Sequence, residues 1–289
     1  MGIKKRLEQR DNQPEQPAKL ADVVIEEPLK KAGGLEFDVE TEVDDRKREG
    51  MLKDFEDDCE KNAWASAADR GMSLKILFPN RVTELGLEEK WEGMVDCYKS
   101  WCYEDNWNNV ADQAVRLKIL FPDKVKELDL QDKWEDMKEW YETRCIDGTL
   151  ESSLIMAKNL KILFPERVGE LELESKLKWG DIKARYYYHC RNKRKWSQAF
   201  IKMAIGVKIL FPERMVELGI ENKWQQMKES YEDFCKLEEW KLATIQAMNL
   251  KILAAQEIKI TDQGLELVME NEEEFADDIP ERPERLNCK

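Results

Sequence analysis

Apolar residues recur along this chain with the period of an α-helix, and they do so in blocks that repeat. The run Leu74-Lys75-Ile76-Leu77-Phe78-Pro79 returns as Leu117 to Pro122, Leu160 to Pro165 and Val207 to Pro212. A last copy, Leu250 to Ala254, lacks the proline. The starts lie 43, 43, 47 and 43 residues apart. Behind each proline comes a second motif at Arg81 to Leu85, Lys124 to Leu128, Arg167 to Leu171 and Arg214 to Leu218. A third motif begins at Trp91, Trp134, Trp179 and Trp224, with Arg48 in that place one unit earlier.

Counting from these positions, offset +3 holds Met51, Met94, Met137, Ile182 and Met227. Offset +7 holds Phe55, Tyr98, Tyr141, Tyr186 and Tyr231, and offset +11 holds Cys59, Cys102, Cys145, Cys190 and Cys235. Spacings of three and four residues put one apolar side chain per turn on a single stripe, so an amphipathic helix of about three turns is predicted. A second helix runs up to each Leu-Lys-Ile-Leu-Phe block. Three residues before the block the side chain is always small (Gly71, Ala114, Ala157, Ala204, Ala247), which lets a neighbouring helix approach closely. The proline stops that helix, because it disfavours helical geometry at the preceding Phe. It also suits the first turn of a new one, predicting a short third helix of about two turns.

A period near 43 with two longer helices and one short one falls in the armadillo/HEAT length class. Such a unit cannot bury its apolar face alone and must stack on its neighbours. The predicted fold is therefore all-α: a right-handed α-solenoid of about 43-residue helical repeats. Its units lie near 45–87, 88–130, 131–173, 174–220 and 221–269, and the segment from Glu257 to Met269 caps the open end. Residues 1–44 read as a disordered N-terminal arm and 270–289 as an acidic disordered tail. Over about residues 46–270, the Leu-Lys-Ile-Leu-Phe-Pro blocks resemble those of uncharacterised bacterial tandem-repeat proteins. That resemblance implies a general architecture like the armadillo/HEAT α-solenoids, and no activity.

Composition narrows the function classes. The 289 residues carry 47 Lys+Arg against 61 Asp+Glu, a formal net charge of −14, which opposes non-specific binding to a polyanion. Only 13 glycines and 9 prolines occur, too few for a fold built from many tight turns. A single histidine leaves little scope for His-based metal or nucleophile chemistry. Seven cysteines include no Cys-x-x-Cys pair, so no zinc site is predicted, and the five at one repeat position read as small buried thiols. No apolar run reaches the roughly 18 residues that cross a bilayer, and no signal peptide is apparent. A cytoplasmic protein with reduced thiols is expected, with neither membrane nor small-molecule substrate as partner. No phosphate-cradling Gly-rich loop or hydrolase motif occurs, so neither catalysis nor a cofactor is predicted.

Three features are candidates for an interaction surface. The lysines Lys75, Lys118, Lys161, Lys208 and Lys251 occupy one repeat position, and alignment along a stack makes them a row facing an acidic peptide or phosphates. The opposing view is that their stems cover apolar surface while their heads are solvated. Trp101 and Trp140 fall outside the shared stripe and read as exposed anchors. The stretch from Lys183 to Trp196 carries six Lys/Arg and no acid, with Arg185, Tyr187, Tyr188, Arg191, Lys193, Arg194 and Lys195 as candidate contacts. Basic residues interleaved with aromatics can hold a nucleic-acid backbone and stack its bases. The expected function is a non-catalytic protein–protein interaction scaffold. The alternative is an RNA- or single-stranded-DNA-associated protein that uses segment 183–196.

Overall fold

The computed structural model describes residues 39, 43–191, 198–261 and 264–269. They are mostly helical. Five helices carry the third-motif stripe: α1 (Asp45–Glu60), α3 (Trp91–Tyr103), α5 (Trp134–Ile146), α8 (Trp179–Arg191) and α10 (Glu221–Lys236). Five others end in the Leu-Lys-Ile-Leu block or its variants: α2 (Trp64–Leu77), α4 (Trp107–Leu120), α6 (Leu150–Leu163), α9 (Gln198–Leu210) and α11 (Trp240–Ala254). A one-turn helix, α7, spans Leu173–Lys176. The stripe is buried as its spacing requires, with Met51, Met94, Met137, Ile182 and Met227 all at 0 % exposure. Each such burial is worth about 1.5–3 kcal/mol.

The short helix expected after each proline is present and is of the 3-10 kind. Pro79–Leu85, Val125–Leu128, Pro165–Leu171 and Pro212–Leu218 are 3-10 turns. They end at Gly86, Asp129, Glu172 and Gly219, all with positive φ. A 3-10 piece completes a turn in three residues and is used in short runs as a connector, which suits a corner between two packed helices. At the corner each Phe meets the Trp some thirty residues earlier. Trp91 and Phe121 are edge-to-face at 4.9 Å, Trp134 and Phe164 at 5.0 Å, while Trp179 and Phe211 are tilted at 6.4 Å. Where Arg48 replaces the tryptophan, its Nε and Nη1 are buried without a hydrogen bond. A void of about 10 Å³ lies between Arg48, Leu52, Phe78 and Glu84.

The block helices pack in sequence, α2 on α4, α4 on α6, α6 on α9 and α9 on α11. Then α11 packs on α2, so these five helices form a closed circuit. The stack that the sequence suggested would end open instead meets its own beginning. The closing junction reuses the internal contacts. Trp240 fills the space above Gly50 as Trp64 does above Gly93, and in both places a Cβ would lie inside the indole. Lys47 reaches Glu232 at 3.2 Å and lies over the Tyr231 ring, as Lys176 reaches Glu142 at 2.7 Å over Tyr141. Arg46 adds an ion pair to Glu238 at 2.7 Å.

The segment expected to cap the end of a stack is a two-stranded antiparallel hairpin, β1 (Glu257–Thr261) and β2 (Gly264–Val268). Ile258 faces Leu267 and Ile260 faces Leu265 across the ladder, and all four pack on the core. The hairpin follows α11, yet β2 contacts α4, which does not adjoin α11 in the circuit. It therefore reaches across the ring of block helices.

Two predictions follow from the junctions. Gly50→Leu and Gly93→Leu each force a side chain into a tryptophan, so both should destabilise by about 1–3 kcal/mol or more in thermal or denaturant unfolding. A Gly50→Leu protein as stable as the parent would mean that α11 and α1 are not in contact. Arg48→Trp restores the missing aromatic pair and should raise stability by about 1 kcal/mol, measured the same way.

Candidate functional site

The lysine row does not point into solvent. Each ammonium crosses to the C-terminal carbonyls of the next block helix. Lys75 Nζ donates to the Leu120 carbonyl at 3.1 Å, Lys118 to Ile162 at 2.9 Å and Lys161 to Ile209 at 2.7 Å. Lys208 donates to Leu253 at 2.5 Å and to Ala255. Lys251 completes the set across the closing junction, to Ile76 at 2.7 Å and Leu77 at 3.1 Å. A helix end leaves its last carbonyls unpaired and carries partial negative charge, so a cation there satisfies both demands. Lys118 is 6 % exposed. Expected as a face for an acidic ligand, the row instead serves as the stitching between helices, because the lysine sits in the last turn where the neighbour's carbonyls end.

Burial lowers the proton affinity of Lys75 and Lys161, and pushes Lys208 down to about 8.

The basic segment is divided between described and undescribed residues. Arg185 Nε donates to Glu151 Oε1 at 2.5 Å, and His189 Nε2 lies 2.7 Å from the same oxygen. Glu151 is in the first turn of α6. Burial raises its pKa, but the hydrogen bonds from His189 and Arg185 outweigh this and hold it below the usual carboxylate value. Tyr187 Oη donates to the Glu217 carbonyl at 3.0 Å, and Lys183 pairs with the Glu217 carboxylate at 3.3 Å. Tyr188 is 55 % exposed and has the Arg185 guanidinium over its ring at 5.3 Å. Arg185 and Tyr187 thus hold α8 to its neighbours, so they do not form a free basic face. The Arg191 side chain and Lys193, Arg194 and Lys195 lie outside the described residues.

Trp101 and Trp140 are half-buried against the core. The Trp140 indole N–H donates to Asn108 Oδ1 at 3.1 Å, and Arg144 stacks on the ring at 4.3 Å. Neither is an exposed anchor. Asn108 lies on α4, the preceding block helix, so Trp140 covers a second flank of α5 that the shared stripe does not reveal. Large exposed apolar residues stand elsewhere, at Tyr103 (91 %) and Ile146 (85 %). Both occupy offset +12, one past the cysteine, in neighbouring units. Counting one residue beyond the stripe would have found them.

Polar contacts that the repeat pattern does not reveal join adjacent block helices. Arg116 Nε donates to Asp69 Oδ1 at 3.2 Å, joining α4 to α2. Asn159 Nδ2 donates to Asp112 Oδ1 at 2.5 Å, joining α6 to α4. The cysteines from Cys59 to Cys235 are free, and burial raises the thiol pKa of Cys59, Cys97, Cys102, Cys190 and Cys235. Among the described residues no group of His, Cys, Asp and Glu is placed to hold a metal ion, and no helix is long and apolar enough to cross a membrane.

Compared with protein-family models, with curated proteins and with solved structures, the chain finds no match.

The Lys208 environment predicts a pH dependence. A folded-state pKa below the unfolded value means that the unfolded chain binds the extra proton between about pH 8 and the ordinary 10.5. Stability should therefore rise with pH across that window. Measured by chemical denaturation, the parent should gain stability relative to Lys208→Met between pH 8 and 10. The difference between the two should be flat below pH 7. A constant difference throughout would show that the ammonium carries no burial penalty.

Proposed function

We propose that the protein is a non-catalytic scaffold of helical repeats that binds another protein. In this reading the unit of about 43 residues is the building element, five of them join in a ring, and the outward ends of the stripe helices meet the partner. One observation supports it above the others: Tyr103 and Ile146 are almost fully exposed at the same offset of neighbouring units, α3 and α5. Among the described residues they are the two most exposed large apolar side chains, ahead of Leu237 at 68 % and Val216 at 56 %, which suits them to a partner. Their flanks are exposed acids, Glu104 and Asp105 beside Tyr103 and Asp147 beside Ile146. The partner that fits brings apolar side chains bordered by basic ones, in keeping with the net charge of −14.

The test is affinity capture of the full chain from its own cells, with and without nuclease. A stoichiometric protein should be retained after nuclease treatment. The double variant Tyr103→Ser, Ile146→Ser should lose it by about tenfold or more while helicity by circular dichroism stays unchanged. Loss of the partner on nuclease treatment would favour the RNA- or DNA-associated reading. Retention by the double variant would move the surface elsewhere.

A further inference from the structure

The stripe helices are not all held alike. Trp64 presses on Gly93 of α3 so closely that a Cβ there would lie inside the indole, and the Trp91 and Phe121 rings meet edge-to-face at 4.9 Å. At α8 both contacts are reduced. The unit before it has Leu150 in the place of Trp64. Its own Trp179 and Phe211 rings stand tilted and 6.4 Å apart.

Ionic contacts take their place. Six and ten residues past its first tryptophan, α5 carries Trp140 and Arg144, and Trp140 lies against Asn108 of α4 with Arg144 stacked on its ring. At the same offsets α8 carries Arg185 and His189, and the place of Asn108 is taken by Glu151 of α6. Arg185 Nε at 2.5 Å and His189 Nε2 at 2.7 Å share one oxygen, Glu151 Oε1. The Arg185 side chain is 46 % exposed and that of Glu151 32 %, so this junction is partly solvated and open to screening by salt. The ring does not depend on it. The block helix α9 packs on α6 and α11, with Lys161 bonded to Ile209 and Lys208 to Leu253, and none of these contacts involves α8. We propose that α8 is a strap that opens on a ring that stays closed, with the Glu151 carboxylate as its catch. Opening bares Ile182 and Tyr186, the latter packed on Phe200 at 4.8 Å, and so uncovers an apolar face of one unit without undoing the circuit of block helices. This device is independent of the surface at Tyr103 and Ile146.

Amide hydrogen exchange of the full chain near neutral pH, resolved by peptide, reads the opening. Residues 180–190 should exchange about tenfold or more faster than the matching stretches of α3 and α5, residues 92–102 and 135–145. Raising the salt from about 0.05 to 1 M should speed α8 severalfold further and leave the last turns of α4, α6 and α9 as they were. Glu151→Gln, which keeps the size of the side chain and removes its charge, should speed α8 by about fivefold or more with helicity unchanged. Glu170→Gln, at the corner of the preceding unit, should leave α8 as in the parent. Exchange of α8 no faster than that of α3 and α5, an α8 indifferent to Glu151→Gln, or block helices that open together with α8 would each overturn the proposal. Should Glu151→Gln fail to fold, indifference of the parent's α8 to salt overturns it as well.

Discussion

Five block helices standing side by side with their C-termini at one end is an arrangement that electrostatics disfavours. Each helix end carries about half a negative charge and several unpaired carbonyls, and here five such ends lie together. The lysine at the second place of each block answers this. It lies in the last turn of its own helix and donates to the terminal carbonyls of the next, from Lys75 on Leu120 round to Lys251 on Ile76 and Leu77. Charge-assisted hydrogen bonds of this kind are worth about 1.5–3 kcal/mol each. Without them the parallel packing of these helices would lose the contacts that hold its C-terminal side.

Closure follows from the same device. A stack of like units ends where its last face finds no mate, and here the last face finds the first. The Trp240 indole over Gly50 and the Lys47 contacts with Tyr231 and Glu232 repeat what internal units do at Trp64 and Lys176. The two units that meet there are also the ones that depart from the aromatic corner. Arg48 stands where tryptophan is usual, and Ala254 where phenylalanine is. A ring tolerates such losses because each unit is held on both sides.

Much of the helical architecture was legible from periodicity alone. The Met and Tyr positions of the stripe, the proline stop and the small residue before each block translate directly into buried faces and helix ends, whereas the cysteines expected to be buried are so at Cys59 and Cys235 and only half-buried at Cys102, Cys145 and Cys190. The hairpin was equally legible and was missed. Ile258 and Ile260 alternate with Lys259, and Leu265 and Leu267 flank Glu266, a period of two hidden at the end of a long period of 3.6. The candidate sites were read less well. Identical placement of five lysines looked like a display, whereas placement in a last turn beside another helix end makes them internal donors. Off-stripe Trp140 looked exposed because the stripe records only one of two buried flanks.

What this chain determines by itself is local and repetitive: which residues form helices, where each stops, and which stripe turns inward, all set by spacing and by proline. Tertiary structure alone decided the rest. Whether the last unit meets the first depends on the angle accumulated over the four junctions between consecutive units, which no single motif encodes. That closure brings Lys251 to the end of α2 and Trp240 onto Gly50, and leaves Tyr103 and Ile146 exposed. Proximity between side chains of different units is a property of the ring, because residues more than forty positions apart become neighbours only when the helices carrying them pack.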